Sequence, residues 1–311
     1  MRASEGGRGF DRAAPFLFVL LWSSSFIAAK AGLHNLSPML FVTARLTACA
    51  VVMLGLMVVL RQSWVPLRGR KWAHCALAGA LMNAGGLIPP HVGMLSAPSA
   101  QIALVQSLAP LLTAVLGIAL LREPLRPRQW AGLGLGVAGV GLVVGQAALQ
   151  SPARFHGLIL AFAGVVFLVA GTLHFGRNCR DVPLLPGATA QFVSAALVAA
   201  FASLIFETPR ADWNATALAA TAWNTVMVSL GGMGLYFSML VRGTAARASA
   251  NFYLVPGTAA FLAWIALGER LSPFAVVGLI VASTGCWLLN ARVRSNEPRT
   301  VGRAPSGSRP T

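Results

Sequence analysis

The sequence predicts an all-α polytopic membrane protein with ten transmembrane helices, arranged as two inverted five-helix repeats. Three observations predict this fold class: an apolar composition, ten apolar runs of membrane-spanning length, and an internal repeat. Of the 311 residues, 56% are hydrophobic and only 10% are charged, and the mean hydropathy is +0.71. Soluble domains carry about a quarter charged residues, so this chain has more apolar surface than a soluble core can bury.

The apolar runs set the predicted helices. Each run is about 20 residues long, which at a rise of 1.5 Å per residue covers a hydrocarbon layer of about 30 Å. Helices are expected because lipid cannot satisfy exposed backbone groups. The predicted spans, numbered 1 to 10, cover residues 15–33, 38–60, 72–94, 98–121, 128–148, 155–176, 186–206, 216–241, 245–268 and 272–291.

Basic residues are distributed unevenly along the chain. Nineteen of the 24 lysines and arginines fall in the N-terminal segment, the C-terminal tail and the loops after even-numbered spans. The loops after odd-numbered spans hold only Arg154, Arg210 and Arg270. Because cytoplasmic loops collect basic residues, this asymmetry predicts a multi-pass protein of the cytoplasmic (inner) membrane with both termini in the cytoplasm. A cleaved signal peptide is disfavoured, since no small-x-small site closes the first apolar run.

An internal repeat divides the chain into two halves. Residues 108–139 align without gaps on residues 254–285, with prolines, glutamates and glycines in register. Since each half holds five spans, the second copy must enter the membrane from the opposite face, as in many secondary transporters. The predicted organisation is a cytoplasmic N-terminal segment (1–14), a first repeat (15–148), a second repeat (155–291) and a disordered cytoplasmic tail (292–311).

Polar side chains concentrate in spans 1, 3 and 4 and in their counterparts 6, 8 and 9. Such groups usually face a cavity, so these six spans are expected to line the substrate path. Spans 5 and 10 are rich in small residues instead, a packing pattern that favours a scaffold or a homodimer face. Packing roles stay open for the aromatic and histidine candidates. The candidate substrate-binding residues are Trp22, Ser24, Lys30, Arg45, Asn83, His91, Gln106, His174, Asn224, Tyr236 and Asn251.

Lys30 and Arg45 are cations inside predicted spans, without an intramembrane carboxylate in the sequence to pair with them. Two interpretations of Lys30 stay open, since it either snorkels to the outer interface or faces a cavity. Arg45 lies two turns past Pro38, too deep to snorkel easily, so it either bonds helix-end carbonyls or lines the path. A transported carboxylate would neutralise one cation, which favours amino acids or organic acids over lipophilic cations.

Pro110 and Pro256 occupy matched positions in the two halves. Each removes a backbone donor, so both are predicted helix breaks that expose carbonyls where the repeats meet, although prolines are also simply tolerated in membrane helices. Glu123 and Glu269 also match. For these we favour an interfacial ion pair with neighbouring arginines that fixes a turn, rather than a proton relay.

Several ordered motifs resemble a known family. The first half contains LWSSSFIAAKAGLHNLSPMLFVTARL and LVQSLAPLLTAVLGIALLREPL, and the second contains FYLVPGTAAFLAWIALGERL. These segments resemble EamA-type repeats of the drug/metabolite transporter superfamily over residues 15 to 290. The resemblance implies the fold and an export function, but not one substrate, because relatives export amino acids, other metabolites or drugs. The second copy departs from the pattern, with Asn178 and Val193 near the positions of Lys30 and Arg45.

Together these features predict a secondary transporter that exports small polar metabolites, amino acids or related organic acids, by alternating access. The alternatives are a lipid flippase or scramblase and a multidrug exporter. An enzyme is not expected, because the sequence has no metal cluster, nucleophile–base pair or phosphate loop, and the four cysteines are isolated singles. The expected partners are a small-molecule substrate and membrane lipid, with a homodimer left open, and no cofactor, metal or nucleic acid.

Overall fold

The computed structural model describes residues 3–121, 127–232, 234, 235, 239, 254–270 and 272–290. Within these ranges the regular structure is helical, and the β-type pairing there is an isolated bridge between Leu36 and Ala211. The α-helices, numbered in chain order, are α1 (Ala3–Gly32), α2 (Pro38–Val59), α3 (Arg70–Gly79), α4 (Gly86–Gly93), α5 (Ser99–Gln106), α6 (Ala109–Leu121), α7 (Pro127–Gln150), α8 (Pro152–Asn178), α9 (Leu184–Phe206), α10 (Ala215–Ala222), α11 (Val255–Leu267) and α12 (Pro273–Asn290).

Five of the described helices are long and apolar enough to cross a membrane, and three shorter ones are apolar. Large apolar side chains, among them Phe201, Ile205 and Ile280, stand exposed on the outer surface. Monomeric soluble proteins rarely expose contiguous apolar patches of this kind, whereas lipid solvates them. The chain is therefore an integral, multi-pass membrane protein. The five long segments are Ala13–Gly32, Pro38–Val59, Pro127–Gln150, Pro152–Asn178 and Leu184–Phe206.

Proline and polar caps set many of the helix starts. Helices α2, α7, α8 and α12 each begin at a proline, whose fixed φ suits the first helical position, where its missing N–H would have no helical partner. Ser151 caps α8 by accepting a hydrogen bond from the Arg154 amide, and Asn214 caps α10 through the Ala217 amide. Local sequence therefore contributes to each of these helix starts.

Three predicted spans are not single α-helices. Span 3 consists of α3, a π-helical segment at Ala80–Gly85 and α4. Span 8 begins as α10 and continues as a second π-helical segment, Trp223–Gly232. Span 4 is interrupted between α5 and α6, and Pro110 is the second residue of α6. Widened turns and helix breaks leave backbone groups outside the regular hydrogen-bond ladder, and they are frequent at functional sites.

Helices α7 and α12 pack backbone to backbone through their small residues. A Cβ atom added to Gly139 would lie 2.5 Å from the carbonyl oxygen of Gly278, and one added to Gly285 would lie 2.5 Å from that of Gly132. Such distances are far below van der Waals contact, so only glycine permits this approach. The opposite faces of the pair carry exposed aromatic side chains, including Trp130 and Trp287.

Loop contacts tie the N-terminal and C-terminal halves together at both ends of the helices. At one end, the Ser37 amide donates to the carbonyl oxygen of Arg210 (3.0 Å), and the Arg210 guanidinium donates to the carbonyl oxygen of Leu33 (2.9 Å). At the other end, the Lys71 ammonium lies 2.6 Å from the Asp181 carboxylate. The hydrogen bond from Lys71 lowers the pKa of Asp181.

Candidate functional site

The buried guanidinium of Arg45 is the centre of the candidate site. Arg45 lies on α2 and is only 7% exposed. Its Nε donates to the hydroxyl of Ser229 (3.1 Å), and its Nη1 donates to the side-chain oxygen of Asn224 (3.0 Å). Asn224 is fully buried and uses its own amide to donate to the carbonyl oxygen of Ala220 (3.2 Å). The cation of the first half is therefore held by two side chains of the second half.

Both hydrogen-bond partners of Arg45 are neutral. A guanidinium carries five N–H donors, and these contacts use two of them. Within the described residues, no carboxylate lies within ion-pairing distance of Arg45. A buried charge without a counter-ion is energetically unfavourable, and in membrane proteins such charges mark binding sites and transport paths. The remaining donors can bind a planar anion such as a carboxylate.

The π-helical segments supply polar groups to the interior. Asn224 and Ser229 both belong to the segment Trp223–Gly232. Asn83 lies half-buried in the other π-helical segment, Ala80–Gly85. The two segments occupy spans 3 and 8, which are counterparts in the predicted repeat. Each π-helical segment therefore carries one of the predicted asparagine candidates.

His91 is buried on α4, next to the Arg45 helix. Its ring packs on Phe41 at a centroid distance of 5.7 Å, and Phe41 lies one helical turn before Arg45 on α2. Its Nδ1 lies 2.6 Å from the carbonyl oxygen of Leu87. Its Nε2 is buried and has no hydrogen-bond partner among the described residues, and the same holds for the side-chain oxygen of Gln101 on α5.

Lys30 has a different environment from Arg45. Its ammonium donates to the carbonyl oxygen of Met94, which caps the C-terminal end of α4, and to that of Ala97 (3.3 Å). Cations favour the C-terminal ends of helices, where carbonyls are unsatisfied. Lys30 therefore bonds helix-end carbonyls, which is a contact that the sequence had left open for Arg45.

The remaining predicted residues are more dispersed. Ser24 accepts a hydrogen bond from the indole N–H of Trp223 (2.8 Å), while Trp22 packs on Phe18 at a centroid distance of 5.5 Å. Gln106 is the half-buried last residue of α5, directly before the helix break, and Pro256 is the second residue of α11. Tyr236, Asn251 and Glu123 lie outside the described residues.

His174 belongs to the end of the molecule that carries Lys71 and Asp181. Its Nε2 lies 3.2 Å from Nδ1 of His74, and it contacts Asn178 one turn later on α8. Lys71 also reaches the carbonyl oxygen of Asn178 (3.4 Å). His174 is therefore part of a polar contact between α3 and α8, and it is absent from the Arg45 hydrogen bonds.

Two glutamates were not predicted to have the contacts that they make. Glu207 accepts hydrogen bonds from the amides of Met39 and Leu40 at the start of α2. Glu269 accepts from Ser99 at the start of α5, rather than pairing with the adjacent Arg270. A lone glutamate just after an apolar run is a sequence signal for such a role, since helix N-termini attract carboxylates. The sequence alone does not say which helix it caps.

Among the described residues, no group of three His, Cys, Asp or Glu side chains lies close enough to hold a metal ion. The similarities to known proteins point to transport. The model of the EamA-like transporter family matches the chain twice, over residues 14–145 and 155–291.

Two curated relatives carry functional names. A "probable terminal-alkyne amino-acid exporter" of Streptantibioticus cattleyicolor is 28% identical over 92% of this chain and 96% of its own length. A "probable amino-acid metabolite efflux pump" of Escherichia coli is 22% identical over 89% of this chain and 94% of its own length. A solved crystal structure shares the fold, with a TM-score of 0.66 at 21% identity, over 93% of this chain and 99% of the other.

Proposed function

The chain belongs to the EamA-like transporter family, and from that premise we propose that it exports amino acids or related small organic acids across the cytoplasmic membrane. The observation that carries this proposal is the buried cation Arg45, held by the neutral side chains of Asn224 and Ser229. A substrate carboxylate supplies the missing negative charge when it binds. The names of the two relatives, an amino-acid exporter and an amino-acid metabolite efflux pump, support the same substrate class.

The proposed architecture is ten membrane crossings in two inverted repeats with both termini in the cytoplasm. The asymmetry of basic residues supports this orientation. The family model matches the chain twice, and the two π-helical segments fall in counterpart spans, which both support the repeat. Labelling of a cysteine introduced at Arg154 tests the orientation, because this position should react from outside intact cells and be protected from the cytoplasm.

Alternating access is the proposed mechanism. Arg45 belongs to the first half, and its two partners belong to the second, so the site lies where the halves meet. Contacts between the halves at both ends, through Arg210 at one and Lys71 at the other, give two places where the path can close. In this mechanism the two ends open in turn while the substrate stays between Arg45 and the π-helical segment Trp223–Gly232.

Reconstitution of the full-length chain into proteoliposomes tests the proposal. Labelled amino acids and the corresponding organic acids are offered in a counterflow assay, and a fluorescent phospholipid is offered in parallel to detect scrambling. We expect solute exchange above that of protein-free vesicles, with most of it lost in Arg45→Gln, and lipid transfer at the background rate. Lipid scrambling without solute exchange would contradict the proposal and support the flippase alternative.

A further inference from the structure

The region around Arg45 contains an unsatisfied acceptor as well as unsatisfied donors. The carbonyl oxygen of Leu87 can only accept, so the 2.6 Å contact requires that Nδ1 of His91 carry the proton. In the neutral ring, Nε2 is then a lone-pair acceptor. It is buried in a residue that is 4% exposed, and no donor reaches it from the described residues. Buried acceptors of this kind are normally satisfied.

His91 and Arg45 lie close to each other. The His91 ring packs on Phe41, and Phe41 and Arg45 are four residues apart on α2, so they share a helix face. The His91 imidazole therefore contacts the same face of α2 that carries the Arg45 guanidinium.

An α-amino acid has the complementary pair of groups on one carbon atom. Its carboxylate only accepts hydrogen bonds, and its ammonium only donates them. We propose that Arg45 binds the substrate carboxylate while Nε2 of His91 accepts a hydrogen bond from the substrate ammonium. This inference rests on the proposed function and narrows it to substrates with a free α-amino group. A carboxylic acid without the amine leaves Nε2 unsatisfied, and sites that are built to hydrogen-bond a group reject analogues that lack it.

Matched substrates separate the two groups. Leucine, 4-methylpentanoate and N-acetylleucine share the same carbon skeleton and carboxylate, but only leucine has an ammonium. The full-length protein in proteoliposomes is assayed with each compound to determine its Michaelis constant. For the wild type we expect a preference for leucine on the order of tenfold to a hundredfold, as for a hydrogen bond to a charged group.

Two substitutions of His91 separate recognition from packing. His91→Asn keeps a donor near Nδ1 for Leu87 but has no atom at the Nε2 position, whereas His91→Gln can place an acceptor there. We expect His91→Asn to abolish the preference for leucine without changing the apparent affinity for the deaminated analogue, and His91→Gln to retain part of the preference. His156→Asn is the matched control, because His156 is exposed on α8. For variants that reconstitute poorly, ligand-dependent thermal shifts in detergent compare the binding of leucine with that of the deaminated analogue.

The outcomes separate this inference from the proposed function. Transport of all three carboxylates by the wild type with equal apparent affinity, or an unchanged leucine preference in His91→Asn, would overturn the inference and leave the proposed function intact. If the wild type exchanges none of the amino acids and organic acids of the counterflow assay, these three compounds included, the proposed function fails, and this inference fails with it.

Discussion

The carboxylate of Glu269, just after α11, caps the first turn of α5 by accepting hydrogen bonds from the amide (3.1 Å) and the hydroxyl (2.9 Å) of Ser99. Glu207, just after α9, does the same for α2 through the amides of Met39 and Leu40 (3.2 and 3.1 Å). In both cases a glutamate of the second half neutralises the helix dipole of a helix in the first half. These caps hold the halves together at the end where Lys30 and Arg210 lie.

Glu269→Gln should weaken the cap on α5 and with it the contact between the two halves at this end. The amide side chain keeps one acceptor oxygen but loses the negative charge, so we expect a loss of about 0.5–2 kcal/mol at the α5 N-terminus. A cysteine introduced at Pro98 should then react faster with a membrane-impermeant thiol reagent. Arg270→Gln is the control, since Arg270 is exposed and makes none of these contacts. Equal labelling rates in both backgrounds would show that the cap does not restrain this end.

Arg45→Lys and Arg45→Gln separate charge from shape. Lysine keeps the positive charge but loses the planar fork, so we expect it to retain part of the transport of carboxylates. Glutamine removes the charge, so it should retain less. The measurement is transport per folded protein for a carboxylate and for its uncharged amide. Equal rates for wild type and both variants would rule out electrostatic recognition at this position.

Stability should respond to Asn224 and Arg45 in a non-additive way. Asn224→Ala removes an acceptor from a buried guanidinium, which should lower the free energy of unfolding by about 1–3 kcal/mol. Adding Arg45→Met removes the buried charge as well, so the double variant should be more stable than Asn224→Ala alone. Thermal unfolding in detergent is measured for the wild type, both single variants and the double variant, which together form a double-mutant cycle. The double variant should nevertheless remain inactive, and strictly additive losses would argue against a direct coupling of the two side chains.

Gly139→Ala should disrupt the contact between α7 and α12. Its Cβ would meet the Gly278 carbonyl oxygen at 2.5 Å, and because that atom is backbone, the helices must separate. We expect reduced expression and a lower melting temperature. Gly134→Ala and Gly141→Ala are controls in the same helix, since a Cβ there meets nothing within 4 Å. They should be neutral or stabilising, because alanine favours the helix by up to about 1 kcal/mol over glycine.

Cys75 and Cys179 should form a cross-link between the halves. Both are fully buried and belong to one cluster of packed side chains. Copper phenanthroline with molecular oxygen as the electron acceptor should join them, with loss of two protons and two electrons, and the cross-link should reduce transport. Dithiothreitol should restore it. Cys179→Ser should make the protein insensitive to the oxidant, and inhibition that persists in this variant would assign the effect to another thiol.

Features that depend on one segment could be predicted, whereas features that depend on two distant segments could not. Arg45 stands out in the sequence because a cation lies deep in an apolar run without a carboxylate. Its partners could not be assigned, since Asn224 and Ser229 are about 180 residues away and reach it only through packing. The same reason explains why Cys75 and Cys179 looked like isolated residues.

Some sequence expectations met a competing physical effect. Glu269 was expected to pair with Arg270, but the amides at the start of α5 offer a carboxylate better-oriented donors than an exposed side chain does. Span 3 was predicted as a single span, and its π-helical segment Ala80–Gly85 was not expected, because such a segment leaves no strong composition signal. Snorkelling and a cavity role both stayed open for Lys30, and the partners that the structure gives it, the carbonyls of Met94 and Ala97, were not predicted.

The backbone contact between α7 and α12 also has a consequence for how the two halves can move relative to each other. At Gly139 and Gly278 the two backbones meet directly, and the nearest side chains, those of Ala282 and Val143, are small and leave little room for sliding. We therefore expect the pair to move as one unit, so that in the proposed alternating-access mechanism the axis of movement lies close to it. Displacement grows with distance from an axis of rotation, so the helices farthest from α7 and α12 should move the most.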